Sequence, residues 1–293
     1  MSGSVPLLAL TGGSGFVGRA FAPMARRAGW RIRHLGRRAP PDADEWTFLD
    51  LSAVEDVDLS GCAALVHLAA YIPTDHGDPA EAERCWRINA LGTLKLVDAA
   101  IRAGMRRIMQ ASSANAYAPT PEPPDEHAPL FPGSRGYYLG SKVCQEIYAA
   151  ERCRGEDVLL QTLRLASVYG PGQQSGALAA MAQAAASGGP IRVHGSGGFG
   201  ADFVHVDDVA WAMLLLLGSE NAGAFNVGSG VRTTIAELAK LLAGQTGAQV
   251  VHGDGEGGED WGFPALNIDR LRALGYQPTC LAGGLKLWER WCA

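Results

Sequence analysis

Short, continuously apolar runs alternate with longer helix-like stretches through the first half of the chain: Leu7–Leu10, 16–28, Arg31–Leu35, Leu65–Leu68, 86–103, Arg107–Ala111, 138–153 and Val158–Leu163. Runs such as Val5-Pro-Leu-Leu-Ala-Leu10 and Ala63-Ala-Leu-Val-His-Leu68 lack the apolar/polar alternation of a one-sided strand, as expected of strands covered on both faces. Strand and helix in turn predict an α/β unit, a parallel sheet wrapped by helices. After residue 165 the rhythm loosens, because Gly/Ser-rich pieces (Ser187–Pro190, Gly195–Gly200, Gly253–Gly258) interrupt short helices. That pattern predicts a smaller lobe. Val209–Leu217 is nine apolar residues, far short of the ~20 that span a bilayer, and reads as a buried helix. Thr234-Ile-Ala-Glu237 is a capping box that starts a helix. Pro119–Pro132 is too long for a tight connection and predicts a loop near a binding cleft.

Composition narrows the partners. The 293 residues are 47% hydrophobic, enough for one large α/β unit or two lobes with a well-buried core. A net charge of −5 without any Lys/Arg run offers no footprint for nucleic acid or an anionic membrane, which leaves small molecules. Six cysteines form no Cys-x-x-Cys pair, so reduced thiols are expected. The first ten residues carry no basic segment before their apolar run, so cytoplasmic residence without a signal peptide is expected. Scattered histidines give no metal site, and metal is not expected.

Thr11-Gly-Gly-Ser-Gly-Phe-Val-Gly18 follows the first apolar strand and opens a helix. Three glycines at this position let backbone N–H groups approach a pyrophosphate at a helix N-terminus. Tyr138 and Lys142 stand four apart, hence on one helix face, where an ammonium can favour the phenolate and bring its pKa toward the working pH. Ser113, at the end of another apolar strand, precedes Tyr138 by 25 residues. Together with His67-Leu-Ala-Ala70, Asn89, Ser112-Ser-Ala-Asn-Ala-Tyr117, Arg164-Leu-Ala-Ser-Val-Tyr-Gly-Pro171, Asp202-Phe-Val-His-Val-Asp-Asp-Val-Ala210 and Phe225-Asn-Val-Gly-Ser-Gly230, these segments resemble the extended short-chain dehydrogenase/reductases, the NAD(P)-dependent epimerase/dehydratase group. The likeness runs in order from residue 5 to about 280.

The resemblance implies a Rossmann-type doubly wound parallel sheet with a smaller α/β substrate lobe. Residues 1–165, with 202–230 returning to them, would bind the dinucleotide; 166–201 and 231–293 would form the lobe. Tyr138 would be the general acid/base, Lys142 would hold the nicotinamide ribose and tune Tyr138, and Ser113 would hydrogen-bond the reacting oxygen, with Asn115 and Ser167 also meeting substrate. Gly12, Gly15, Phe16, Val17 and Gly18 would cradle the pyrophosphate, Asp50 and Leu51 would meet the adenine, and Leu68, Ala69, Ala70 and Leu165 would line the cofactor path. Asn89 would support the active-site helix. By analogy the protein would be a homodimer through helices that include 138–153.

Departures from the family pattern sharpen the expectation. Ala114-Asn115 stands where dehydratases carry an acidic pair, so dehydration loses its acid and base. Leu35-Gly36-Arg37-Arg38 ends the second strand without the carboxylate that accepts from a ribose 2′-OH. Arg37 and Arg38 suit a 2′-phosphate and favour NADP, with NAD as the alternative. Nucleoside-diphosphate-sugar enzymes of the group carry an arginine before Asp-Phe-Val and another in an Arg-Pro-Gly-Asp-like stretch; here those places hold Ala201 and the arginine-free run Gly253–Gly262. Arg192 or Arg232 would be the substitutes. Trp288 and Trp291 read as docking a terminal segment, and His205 with Asp207 and Asp208 as structural. The expected activity is hydride transfer at a secondary alcohol or ketone of a sugar-like or polyhydroxy molecule. The alternatives are a nucleotide-sugar epimerase that keeps its cofactor and a non-catalytic dinucleotide sensor.

Overall fold

The computed structural model describes residues 5–41, 43–253 and 262–286. Apolar runs become β1 (Leu7–Thr11), β2 (Arg31–Gly36), β4 (Cys62–His67), β5 (Arg107–Ser113) and β6 (Leu159–Leu165), and β3 (Glu45–Phe48) adds an edge. Half-exposed and only four residues long, β3 has no apolar run to betray it. With β10 (Gly223–Val227) these strands form one seven-stranded sheet in the order β10-β6-β5-β4-β1-β2-β3. From β3 to β6 neighbouring strands are parallel. The chain leaves β1 toward β2 and β3, then returns to place β4 on the other side of β1. This reversal opens a crevice at the carboxyl ends of β1 and β4, where doubly wound sheets bind ligands.

Helices α1 (Phe16–Arg27), α2 (Ala80–Cys85), α3 (Gly92–Arg102) and α4 (Gly136–Cys153) connect these strands. A π-helical turn, Trp86–Leu91, joins α2 to α3 where the periodicity predicts one uninterrupted helix. Such turns widen the helix and redirect side chains, here Asn89. The core of this unit packs Leu7, Ala9, Leu65, Leu96, Ile108 and Ala149 among other buried side chains.

A second unit holds β7 (Ser167–Tyr169), β8 (Ile191–His194), β9 (Gly200–His205), β11 (Arg232–Thr234) and β12 (Val250–Gly253), with α5 (Ala177–Ala186) and α7 (Ile235–Thr246). β9 lies between β7 and β11, and β12 pairs with β8. Thr234 caps α7, and the reciprocal bond from Glu237 completes the capping box. Its own core packs Tyr169, Leu178, Ile191, Phe203, Leu238 and Leu285.

The division of the chain differs from the expected 202–230 return. The first unit comprises the described residues to Ala118, Ala128–Leu165 and Ala210–Phe225, so the returning piece is shorter. β9 is held by β7 and β11, and Ser229 and Gly230 hydrogen-bond Asp202, so both ends of that segment stay with the second unit. Pro119–His127 joins it too, because Pro124 O accepts from Asn226 Nδ2 and Asn267 N. The apolar stretch at 209–217 lies in α6 (Val206–Leu217). No helix among the described residues is long and apolar enough to cross a membrane.

Candidate active site

β1 delivers the chain to Gly12 in the left-handed region (φ 70°), and a Cβ there would come within 2.7 Å of Ala69 N. Only glycine fits that approach without strain. Gly15 N donates to Gly12 O (2.9 Å), closing the turn before α1. A Cβ on Gly18 would overlap Gly12 O, so this glycine lets the helix seat on the loop. No side chain caps α1, leaving the first-turn N–H groups of Phe16, Val17 and Gly18 to an anion at the positive end of the helix.

Behind the loop lies a buried relay that sequence reasoning passed over. Leu68 N and Ala69 N both donate to Thr11 Oγ1 (3.1 Å each), Thr11 Oγ1 contacts His67 Nδ1 (2.7 Å), and His67 Nε2 contacts Thr93 Oγ1 (2.8 Å). Thr93 Oγ1 donates to Asn89 O (2.6 Å). One proton order satisfies every group: Thr11 donates to Nδ1 and His67 donates from Nε2. The imidazole is therefore neutral, and burial together with the Lys142 charge pushes its pKa down to about 3.

A cavity of about 980 Å³ opens over this cradle, lined by Gly12, Gly36, Arg37, Arg38, Asp50, Leu51, Ala69 and Ala70. Its size and its glycine floor fit a dinucleotide. The Ser52 hydroxyl and N–H, and then Arg37, hold the Asp50 carboxyl below its usual range. Arg84 and Arg87 line the same cavity and were not anticipated. Arg84 lies over the Tyr71 ring (4.1 Å to its centre) and donates to Tyr71 Oη (3.2 Å), which in turn donates to Glu81 (2.6 Å).

At the end of β5, Ser113 caps a short 3₁₀ turn (Ala114–Ala116), its Oγ accepting from Asn115 N (3.3 Å). That turn packs on α4, which starts after Arg135 in the left-handed region (φ 51°). Tyr138 and Lys142 follow one helical turn apart. Lys142 is buried, its Nζ donating to Ala111 O (2.8 Å) and to Gln145 Oε1. Asn89 Nδ2 donates to Ser141 Oγ (2.9 Å), which donates to Tyr138 O (2.7 Å), while Asn89 also pairs with the Tyr71 backbone. Leu165 ends β6 in register with Ser113. Ser167 lies on β7, in the second unit.

The protonation of this cluster corrects one expectation. Burial pushes Tyr138 up to about 12, with Cys85 adding to the rise and Arg135 opposing it. Burial pulls Lys142 down to about 8 against the favourable charge of Glu146. The ammonium is directed at Ala111 O and Gln145, and it does not lower the phenol. In this arrangement the Tyr138 phenol keeps its proton at neutral pH.

Residues 8–228 match the model of the NAD dependent epimerase/dehydratase family. The chain belongs to this family. Like other epimerase/dehydratase members it is an enzyme of the extended short-chain dehydrogenase/reductase type. It is 31% identical over 264 residues to a UDP-glucose 4-epimerase of Mycolicibacterium smegmatis, 82% of either chain, and 29% identical to a dTDP-glucose 4,6-dehydratase of Streptomyces niveus, covering 96% of this chain and 91% of that one. The solved structure of MoeE5 in complex with UDP-glucose and NAD superposes with a TM-score of 0.84 at 26% identity, covering 97% and 98% of the two chains.

In this epimerase/dehydratase chain, Ala201 is buried on β9 opposite Thr233 of β11. The next strand position, Arg232, lays its guanidinium over Gly200, with Nη2 2.7 Å from where a Cβ on Gly200 would stand, and donates to Gly198 O (3.2 Å). Arg192 lies on β8 beside β12, in register with Val251. Residues 254–261 of the arginine-free run, Trp288 and Trp291 lie outside the described residues.

Proposed function

We propose that this family member transfers a hydride between NADP(H) and a secondary alcohol or ketone carbon of a sugar-like or polyhydroxy small molecule. The observation that carries this reading is the anchoring of Lys142, one helical turn from Tyr138 on α4, to Ala111 O of β5, two residues before Ser113 ends that strand. Ser113 Oγ would donate to the reacting oxygen, and Tyr138 would give that oxygen its proton during reduction or take it during oxidation. Lys142, charged at neutral pH, would hold the cofactor ribose. The dinucleotide supplies the hydride acceptor or donor. Gly36, Arg37 and Arg38 on the cavity wall support NADP, since no carboxylate at the end of β2 repels a 2′-phosphate; NAD, present in the MoeE5 structure, is the alternative cofactor.

A second reading, epimerisation of a nucleotide sugar with retained cofactor, is favoured by the UDP-glucose 4-epimerase likeness. Ala114-Asn115 speaks against dehydration. The exposed Ile147 on α4, near Tyr148 and its edge-on partner Trp86 (5.6 Å), supports a homodimer, and a cytoplasmic location accompanies this reading. Net turnover separates the two chemistries. Free sugars, uronates, simple ketones and nucleotide sugars are offered with NADP(H) or NAD(H), and absorbance of the reduced nicotinamide is followed. Stoichiometric change in that absorbance with a free sugar, uronate or ketone is expected; interconversion of a nucleotide sugar without any change would overturn the proposal in favour of epimerisation.

A further inference from the structure

Behind Lys142 runs a line of buried amides that the chemistry above does not use. Gln110 on β5 and Gln145 on α4 are fully buried, and Thr162 on β6 is nearly so. Gln145 Oε1 accepts from Lys142 Nζ, while Gln145 Nε2 donates to Gln110 Oε1 (3.0 Å) and to Ala111 O (3.1 Å). Gln110 Nε2 then donates to Thr162 Oγ1 (2.9 Å). The order leaves no freedom: turning the Gln145 amide over would aim its NH₂ at the ammonium and its oxygen at two other oxygens. Each amide therefore points its oxygen end toward Lys142, and bonds arranged head to tail reinforce one another. Filling space does not require this, because methionine or leucine packs the same volume without any polar group to satisfy.

We propose that Gln145, oriented by Gln110 and Thr162, is a positioning residue that fixes the Lys142 ammonium at the end of β5 and keeps it charged. The inference rests on the hydride-transfer reading only for its effect on rate. Other groups around Lys142 do not replace the amide. Glu146, on the same helix, is shared with Arg164 of β6 through Nε and Nη2 (2.8 Å at the closest). His67 of β4 is neutral, Tyr138 of α4 is protonated, and β5 offers a backbone carbonyl, Ala111 O.

The chain contains four lysines, Lys95, Lys142, Lys240 and Lys286. Lysine labelled with ¹³C at the ε carbon thus gives four resonances, and that of Lys142 is assigned by its loss in Lys142→Arg. In the cofactor-free protein the Lys142 signal should titrate well below the ordinary lysine value. Gln145→Met should move it down by about one pH unit and Gln145→Glu should move it up, the order expected when a buried ammonium loses or gains a partner. Gln110→Leu, which frees the Gln145 amide to turn, should move it down by less. The alkaline limb of kcat/KM for reduction should shift in the same direction in each variant, a response that loss of packing alone does not produce. If Gln145→Met does not fold, Gln145→Glu and Gln110→Leu decide the matter. An unmoved Lys142 titration in the folded variants would overturn the proposal, and so would a moved titration with an unmoved pH–rate limb. Failure of the hydride-transfer reading is separate, because the labelled titration needs no turnover.

Discussion

Two buried polar anchors divide the molecule's work differently. In the first unit Thr11, His67 and Thr93 form an uncharged relay, and its effect is to hold Leu68 and Ala69 against the glycine loop at the mouth of an open cavity. In the second unit Asp202, buried on β9, turns a carboxylate on the unit's own loops. It accepts from Ser229 N (2.7 Å), Ser229 Oγ (2.6 Å), Gly230 N (3.0 Å) and Leu266 N (3.1 Å). Asp208 likewise accepts from Thr279 N and Oγ1, and Arg232 donates to Gly198 O. Glycine and neutral side chains hold the loop at the cavity mouth in the first unit, whereas acidic and basic side chains tie loops together in the second. The first arrangement leaves the glycine loop facing an open cavity; the second closes its unit's loops on a buried side chain.

The largest effect should come from separating chemistry from cradle within the first unit. Tyr138→Phe keeps the ring and its contact with His76 (6.0 Å between ring centres) but deletes the phenol. Turnover should fall by the ~10²–10⁴-fold typical of removing a general acid. Dinucleotide affinity, set by the glycine loop and the cavity wall, should stay within about threefold. Wild-type turnover in this variant would remove Tyr138 from the reaction.

How far the sequence discloses these arrangements depends on the kind of residue involved. Gly12 and Gly18 are legible because each occupies a place where a Cβ would collide with backbone, and their position between a strand and a helix says what the space is for. Tyr138 and Lys142 are legible from their spacing on one helix face. Gln110 is not, because a lone glutamine at the end of the apolar run Arg107–Gln110 looks like a strand ending, and its partner Gln145 lies 35 residues away. The π-helical turn at Asn89 is equally hidden, since periodicity over 86–103 fits an ordinary helix. The reach of the second unit escaped the pattern for a related reason: β9 is wholly buried, and only its cross-strand partners show which sheet it joins. The raised phenol pKa could not be read from the spacing either, because it comes first from burial, which the spacing of Tyr138 and Lys142 does not disclose.

A smaller effect should follow from the cavity wall. Arg37→Ala removes one charge-assisted partner of a 2′-phosphate, roughly 1.5–3 kcal/mol when well formed, or about 10- to 150-fold in affinity. NADP should therefore weaken by about that factor while NAD binding is unchanged, and calorimetric titration of both cofactors into both proteins measures it. Equal affinities for NAD and NADP in the wild type, unmoved by the substitution, would show that the arginines at the end of β2 merely meet solvent.

The smallest effect is expected in the second unit, where the comparison is most exposed to being wrong. A nucleoside diphosphate taken out of water must recover its solvation from charge-assisted hydrogen bonds, and a bidentate arginine is the usual source. Ala201 provides none, and the sequence from Gly253 to Gly262 contains no arginine. Arg232 is the nearest replacement along the sheet, one strand over from β9, with its guanidinium over Gly200 and a bond to Gly198 O. If its work is to hold that loop, uridine and thymidine diphosphates titrated by calorimetry with dinucleotide bound should show affinities no tighter than roughly millimolar, about 4 kcal/mol. Arg232→Ala and Arg192→Ala should then leave that weak binding within about threefold of wild type. Micromolar binding that either substitution abolishes would mean that a charged side chain of the second unit faces a ligand after all. The diphosphate site would have moved from β9 to a neighbouring strand, and nucleotide-sugar epimerisation would become the leading reading.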